Sequence, residues 1–330
     1  MLALQAAFVA ATAGRPAEAE RWADAVDRWQ FGDAARPGDP ATEAWAAVLQ
    51  ASMCRRGVGQ MRADADEAVR RLAAENMVAA AGRFVQGIAC VLCGEFEEGD
   101  ALFAEVINTG EAAAAPDTLA TALCQRSLLA IARGGWSRAD NLAGQARTAL
   151  RRAGIEDNYA TPLVSAIHAR LALHRGDAAA VHHELITAQR MRHLLTYAIP
   201  YLAVQARIEL TRVHLALADL AGARTLMQEA DELLKRRPGL GTLAGEAEAL
   251  RARLAKEQGS VFPGASALTA AELRLLPLLT THLSVPEIAA ELFLSPHTIK
   301  GEMKSIYRKL EATTRHQTVM RARELGLLEG

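Results

Sequence analysis

Along residues 1–258 apolar positions recur at helical spacing, in runs that come in pairs divided by a glycine or small residue beside a polar one. The unit reads ATAGRPAEAERWADAV at its first appearance, and it returns as VLCGEFEEGDALFAEV, IARGGWSRADNLAGQA, LHRGDAAAVHHELITA and LALADLAGARTLMQEA. Turn markers Gly14, Gly57, Gly94, Gly135, Gly176 and Asp219 stand 43, 37, 41, 41 and 43 residues apart. A period near 40 residues built from helix pairs predicts an α-solenoid, in which each pair buries its apolar face only against its neighbours. Alanine is abundant and β-branched runs are few, which favours helices over strands. Such an array presents a long concave surface suited to a peptide, a protein or a small ligand.

The pattern breaks at residues 259–267, a Gly/Pro/Ser-rich stretch of linker composition, so the chain divides into a repeat domain over 1–258 and a second domain over 268–330. Four helix starts follow, each marked by capping chemistry. Thr269 with Glu272, Ser284 with Glu287 and Thr314 with Gln317 fit capping boxes, and Ser295 precedes Pro296 as an N-cap precedes a first-turn proline. The predicted helices are 270–281, 285–293, 296–310 and 315–325. Leu275, Leu276 and Leu279 of the first form a small core with Ile288, Ala289 and Leu292 of the second. The short Leu294-Ser295 turn then forces a sharp crossing, the geometry of a helix-turn-helix whose second helix enters the major groove.

That second helix has two faces. Ile299, Met303, Ile306 and Leu310 fall in a narrow arc, the spacing of a buried stripe. His297, Lys300, Gly301, Lys304 and Arg308 gather on roughly the opposite side. Three of the five lysines in the chain, Lys300, Lys304 and Lys309, lie in this helix.

Composition narrows the remaining classes. The net charge is −1 and 51% of residues are hydrophobic, as in a globular protein, and no apolar run reaches the roughly 20 residues of a membrane span. The apolar opening MLALQAAFVAATAG lacks a basic leader and reads as a packed helix. Cys54, Cys90, Cys93 and Cys124 show no disulfide spacing, which suits a reducing, cytoplasmic setting, and the Cys90/Cys93 pair reads as small buried thiols rather than a redox or zinc motif. His168, His174, His182, His183 and His193 crowd one repeat without a recognised ligand spacing, so no metal is expected. Gly57-Val58-Gly59 lacks the third glycine and the strand of a dinucleotide loop. Gly-Lys occurs nowhere, and neither a GxSxG elbow nor an HExxH motif is present. An enzyme is therefore not expected, nor a cofactor.

The repeat units resemble tetratricopeptide repeats, though they exceed the standard length of about 34 residues. Residues 268–328 resemble the C-terminal DNA-binding domain of LuxR-type regulators throughout its four helices. The residues that carry the likeness are Leu268, Thr269 and Glu272, then Glu287-Ile288-Ala289, Leu292 and Ser295, then Thr298-Ile299-Lys300, Ile306, Lys309-Leu310, Arg315 and Leu325-Gly326-Leu327. Coupled to the repeats, this is similar to the large regulators of that family whose sensor is a MalT-like solenoid. Those regulators usually carry an ATP-binding module ahead of the solenoid. This sequence starts inside the repeats, so either it is a piece of such a protein or it signals without nucleotide.

The resemblance implies an all-α transcription regulator whose array senses an effector or partner and whose last domain binds double-stranded promoter DNA as a homodimer, with RNA polymerase as a further partner. Base-edge contacts would fall at Lys300, Gly301 and Lys304, with Thr298, Arg308 and Arg315 nearer phosphates. The fourth helix would pair two copies through Val319 and Ala322. Several residues depart from the family pattern: Ala271 for arginine, His282 for a turn glycine, Glu302 for a histidine, and Glu311 for a glycine. Residues 261–330 hold eight Lys/Arg against seven Asp/Glu, so attraction to phosphate must be local. The alternative is an interaction scaffold whose helix-turn-helix has lost sequence-specific DNA binding, which Gly301 and Glu302 encourage.

Overall fold

The computed structural model describes residues 1–31, 40–74, 80–109, 115–259, 268–292, 294–325 and 327–328. Among these residues all regular structure is helical: 17 α-helices and a short 3-10 turn at Arg192–Leu194. None of the described helices is long and apolar enough to cross a membrane. The chain is an all-α tetratricopeptide-like solenoid followed by a four-helix domain. Backbone contacts divide it into two compact units, Met1–Val213 with Leu226–Leu250 and His214–Thr225 with Arg251–Gly330. The expected linker, apart from Gly259, lies outside the described residues, as do Phe293 and Gly326.

The repeat helices run in antiparallel pairs: α1 (Leu2–Thr12) with α2 (Pro16–Phe31), α3 (Pro40–Met53) with α4 (Val58–Ala74), and α5 (Ala80–Cys93) with α6 (Phe96–Asn108). They continue as α7 (Pro116–Ala132) with α8 (Trp136–Arg152), α9 (Thr161–Arg175) with α10 (Ala178–Met191), and α11 (Pro200–Ala216) with α12 (Leu220–Arg236), and α13 (Thr242–Gly259) follows. First and second members of the pairs bury themselves differently. In α9 every side chain from Thr161 to Ile167 is buried, so this helix is enclosed on all sides. Its neighbour α8 buries only Ala139, Leu142, Ala143, Ala146 and Leu150, one stripe at helical spacing. Small apolar residues all round one helix, and a single stripe on the next, produce an inner and an outer layer.

Five of the six intra-pair turns share one geometry, a Schellman-type stop with a left-handed residue. At Gly94 (φ +89°) the Glu95 N–H donates to the Cys90 carbonyl at 2.9 Å, and at Gly176 (φ +74°) the Asp177 N–H donates to Ala172 at 3.0 Å. The same six-to-one bond runs from Arg15 to Ala10, from Gly135 to Ala130 and from Asp219 to His214. In the fourth turn Gly134, not Gly135, holds the left-handed position, and in the sixth it is Ala218 (φ +57°). The α3–α4 turn lacks this bond: its Val58 N–H donates instead to the distant Gly239 carbonyl at 3.0 Å.

The inner layer closes on itself where a concave surface was expected to be open. Gln125 of α7 and Gln205 of α11 exchange amide hydrogen bonds of 2.6 and 3.1 Å across two repeats. Glu209 is 3% exposed and holds both Arg170 and Arg212, the latter also reaching Glu246 at 2.6 Å. Arginine suits such sites because its charge is delocalised and its donors are fixed in a fork.

Cys90 is buried, and burial pushes its thiol up to about 12. Cys93 is exposed, contrary to the expectation of two buried thiols, because it ends α5 on the solvent side. Cys90, Glu95 and Glu98 form a group of metal-capable atoms, but both carboxylates are ion-paired to Arg62. His168 Nε2 donates to the Ala143 carbonyl at 3.1 Å, and burial lowers its pKa, while His174 stacks on Trp136 with ring centroids 3.9 Å apart.

Candidate nucleic-acid interface

The C-terminal helices are α14 (Ala270–Leu278), α15 (Val285–Glu291), α16 (Pro296–Lys309) and α17 (Arg315–Glu324). Capping side chains fix where each begins, since the first amides of a helix have no partner within it. Thr269 and Glu272 form a reciprocal capping box at α14. At α15 the Glu287 carboxylate accepts from both the N–H and the hydroxyl of Ser284, at 2.7 and 2.6 Å, and these bonds hold it below the usual carboxylate range. The Ser295 hydroxyl accepts from the Thr298 N–H at 3.0 Å to start α16. At α17 the Thr314 hydroxyl accepts from Gln317 N–H at 3.2 Å, but the Gln317 amide oxygen turns to Thr313 rather than completing a box.

Between the helices lies one apolar core. Leu275, Leu276, Leu279, Ile288, Ala289, Ile299, Ile306, Leu310 and Ala322 are buried in it, with Leu292 and Met303 partly buried against them. Anchoring Ile299, Ile306 and Leu310 inward leaves the opposite arc of α16 outward. His297, Thr298, Lys300, Gly301, Lys304 and Arg308 are all exposed there. Among the described residues none of Lys300, Lys304 and Arg308 has an ion-pair partner. Spaced four residues apart, these three cations cover about 12 Å of helix, and the major groove is about 12 Å wide. A Cβ at Gly301 would meet nothing within 4 Å, so this position is open on the solvent side.

The third lysine of the helix has another task. Lys309 Nζ donates to Glu272 at 2.6 Å, and the two side chains are 14% and 4% exposed. Burial alone would raise the Glu272 pKa, but hydrogen bonds from Lys309, the Thr269 amide and Ser305 bring it below its ordinary value. Beside this pair Glu302 has one carboxylate oxygen, Oε2, buried without a partner. Burial and the Glu272 charge raise its pKa, with Arg274 opposing them.

Three residues expected at contacts with DNA or a second copy face inward instead. The Arg315 guanidinium donates to the carbonyls of Leu278, Leu279, Thr281 and Leu283 at 2.7–2.9 Å, tying the end of α14 and the approach to α15 onto α17. A cation near a helix C-terminus complements the carbonyls left without partners there, and this use occupies four of the five guanidinium donors. Val319 packs against the four-helix core and Ala322 lies fully inside it. The outer side of α17 carries His316, Met320 and Arg323. The resemblance alone placed Val319 and Ala322 at a pairing face, and a resemblance does not separate side chains turned to the core from side chains turned to another molecule.

Residues 266–322 match the family model described as bacterial regulatory proteins, luxR family. This segment is a LuxR-family domain. No curated protein and no solved structure matches the chain significantly. The LuxR-family domain thus includes all four capped helices except the end of α17, and its outward basic arc lies on the helix that follows the turn.

Proposed function

We propose that the chain is a transcription regulator in which α16 of the LuxR-family domain lies in the major groove of promoter DNA. Lys300 and Lys304 reach base edges, with Gly301 between them allowing close approach. His297, Thr298 and Arg308 lie toward the flanking phosphates. The observation that carries this reading is the set of outward cations on α16 with no ion-pair partner among the described residues, held in place by an inward stripe on the same helix. The domain is nearly neutral overall, so one copy binds weakly, and two copies on half-sites about one helical turn apart gain by effective concentration. Val319 and Ala322 support the fold of α17 in this scheme, and pairing uses its outer side. The helical array receives an effector or protein partner, and RNA polymerase is the partner at the promoter.

Selection of bound fragments from genomic DNA tests this reading. The expected result is a set of fragments sharing a two-part motif with half-site centres about 10 base pairs apart or a multiple of it. Recovery of random fragments, together with a stable protein partner in pull-downs, supports the second reading. In that reading the domain is an interaction module that has lost sequence-specific DNA binding, as the bare backbone at Gly301 would favour.

A further inference from the structure

Between α12 and α13 the segment Arg237–Thr242 runs back onto the first three helix pairs. Arg237 is ion-paired to Glu20 of α2 and lies 5.3 Å above the Tyr197 ring. The Gly239 carbonyl accepts from Val58 N–H at 3.0 Å, and the Thr242 hydroxyl donates to the Val91 carbonyl at 3.2 Å. Leu240, between them, is fully buried. Gly239 and Gly241 both have positive φ, +84° and +52°, and a Cβ on Gly241 would run into the Leu92 carbonyl. Glycine is required at 241 twice over, by conformation and by contact.

We propose that Arg237–Thr242 is a releasable clasp, which closes the array by holding its last helix pair onto the first three and opens without unfolding the helices it joins. Three observations support release as a unit. The Val58 amide has its partner in the clasp, the Gly239 carbonyl, at the one intra-pair turn of six without the internal six-to-one bond. The clasp is held by one buried side chain, two hydrogen bonds, an ion pair and the Arg237 contact over Tyr197, whereas a single inner helix such as α9 buries ten side chains. Arg237 Nε is buried without a partner, an unmet donor that opening would hydrate. Local openings of this kind occur where few apolar contacts hold a segment. The array then has two states, and an effector that prefers the open one shifts the balance between them.

Hydrogen exchange on the full chain, comparing wild type with Gly241→Ala, tests the clasp independently of DNA binding. Gly154→Ala is the control, since Gly154 has a similar φ of +66° and nothing near its Cβ. The expected result is Val58 exchange at least tenfold faster in Gly241→Ala, with the interior amides of α7 and α9 unchanged and Gly154→Ala like wild type at Val58. Unchanged exchange at Val58 overturns the proposal. So does equal acceleration of Val58 and α9, which would make the clasp inseparable from the global fold. If Gly241→Ala does not fold, Thr242→Val decides, because it removes only the bond to Val91. In a clasp that opens as one unit Val58 exchange then rises severalfold, and no rise overturns the proposal.

Discussion

Glu311 and Ala218 occupy left-handed backbone, with φ of +51° and +57°, where a side chain crowds its own carbonyl. Glu311→Gly relieves this strain at the end of α16 and should stabilise the LuxR-family domain by about 0.5–1 kcal/mol, part of the relief being offset by greater freedom in the unfolded chain. Urea unfolding measures it, and a lower midpoint would count against the strain argument. Glu302 makes a pH prediction. Its pKa is raised in the folded domain by burial and by Glu272, so the folded state binds more protons than the unfolded one above the ordinary glutamate range. Its contribution is therefore most favourable in mild acid and is lost as pH rises through the folded value. Glu302→Gln should flatten that fall, giving a higher Tm than wild type at pH 7 and a smaller difference near pH 5. An identical Tm profile for both proteins would remove Glu302 as the cause. The sequence shows Glu302 as a departure from the family pattern, but the Glu272 charge that helps raise its pKa lies 30 positions earlier, which no local pattern reveals.

Individual helices were the most legible elements, because capping and period are local chemistry. The starts of α14 to α17 coincide with the expected ones, at Ala270, Val285, Pro296 and Arg315. The end of α14 comes earlier than expected, at Leu278, where Arg315 takes up the terminal carbonyls. The resemblance placed Arg315 near phosphate, and the local sequence offers no correction, because charge at a helix start looks the same whether it points to solvent or to another helix. Arg315→Ala should destabilise the domain by about 2–4 kcal/mol, through carbonyls left without a charged donor. A variant melting within a degree of wild type would show those bonds to be replaced by water. In the array, Gly87 of α5 faces Phe103 of α6, with a Cβ at 87 only 2.7 Å from the ring. Gly87→Ala should therefore cost about 1–3 kcal/mol by overpacking despite its better helix propensity. Calorimetry distinguishes this loss from the gain of about 1 kcal/mol that propensity alone predicts.

For the whole molecule, the period near 40 residues was enough to give the helix pairs, since five turns repeat one hydrogen-bond pattern. Closure of the inner layer was not legible. Gln125 with Gln205 and Val58 with Gly239 join positions 80 and 181 apart, and such contacts leave no periodic trace. The LuxR-family domain was legible because its motif residues are those that set caps and core. The face proposed to meet DNA depends on exposed side chains. Salt dependence of binding to a selected DNA site, measured for wild type and the Lys300→Ala/Lys304→Ala variant, tests that face most directly. The wild-type log–log slope should be steep, and the double substitution should weaken binding by at least tenfold and make the slope shallower by about 1–2. Equal affinity and equal slope in the two proteins would contradict the assignment of α16 as the groove-reading helix.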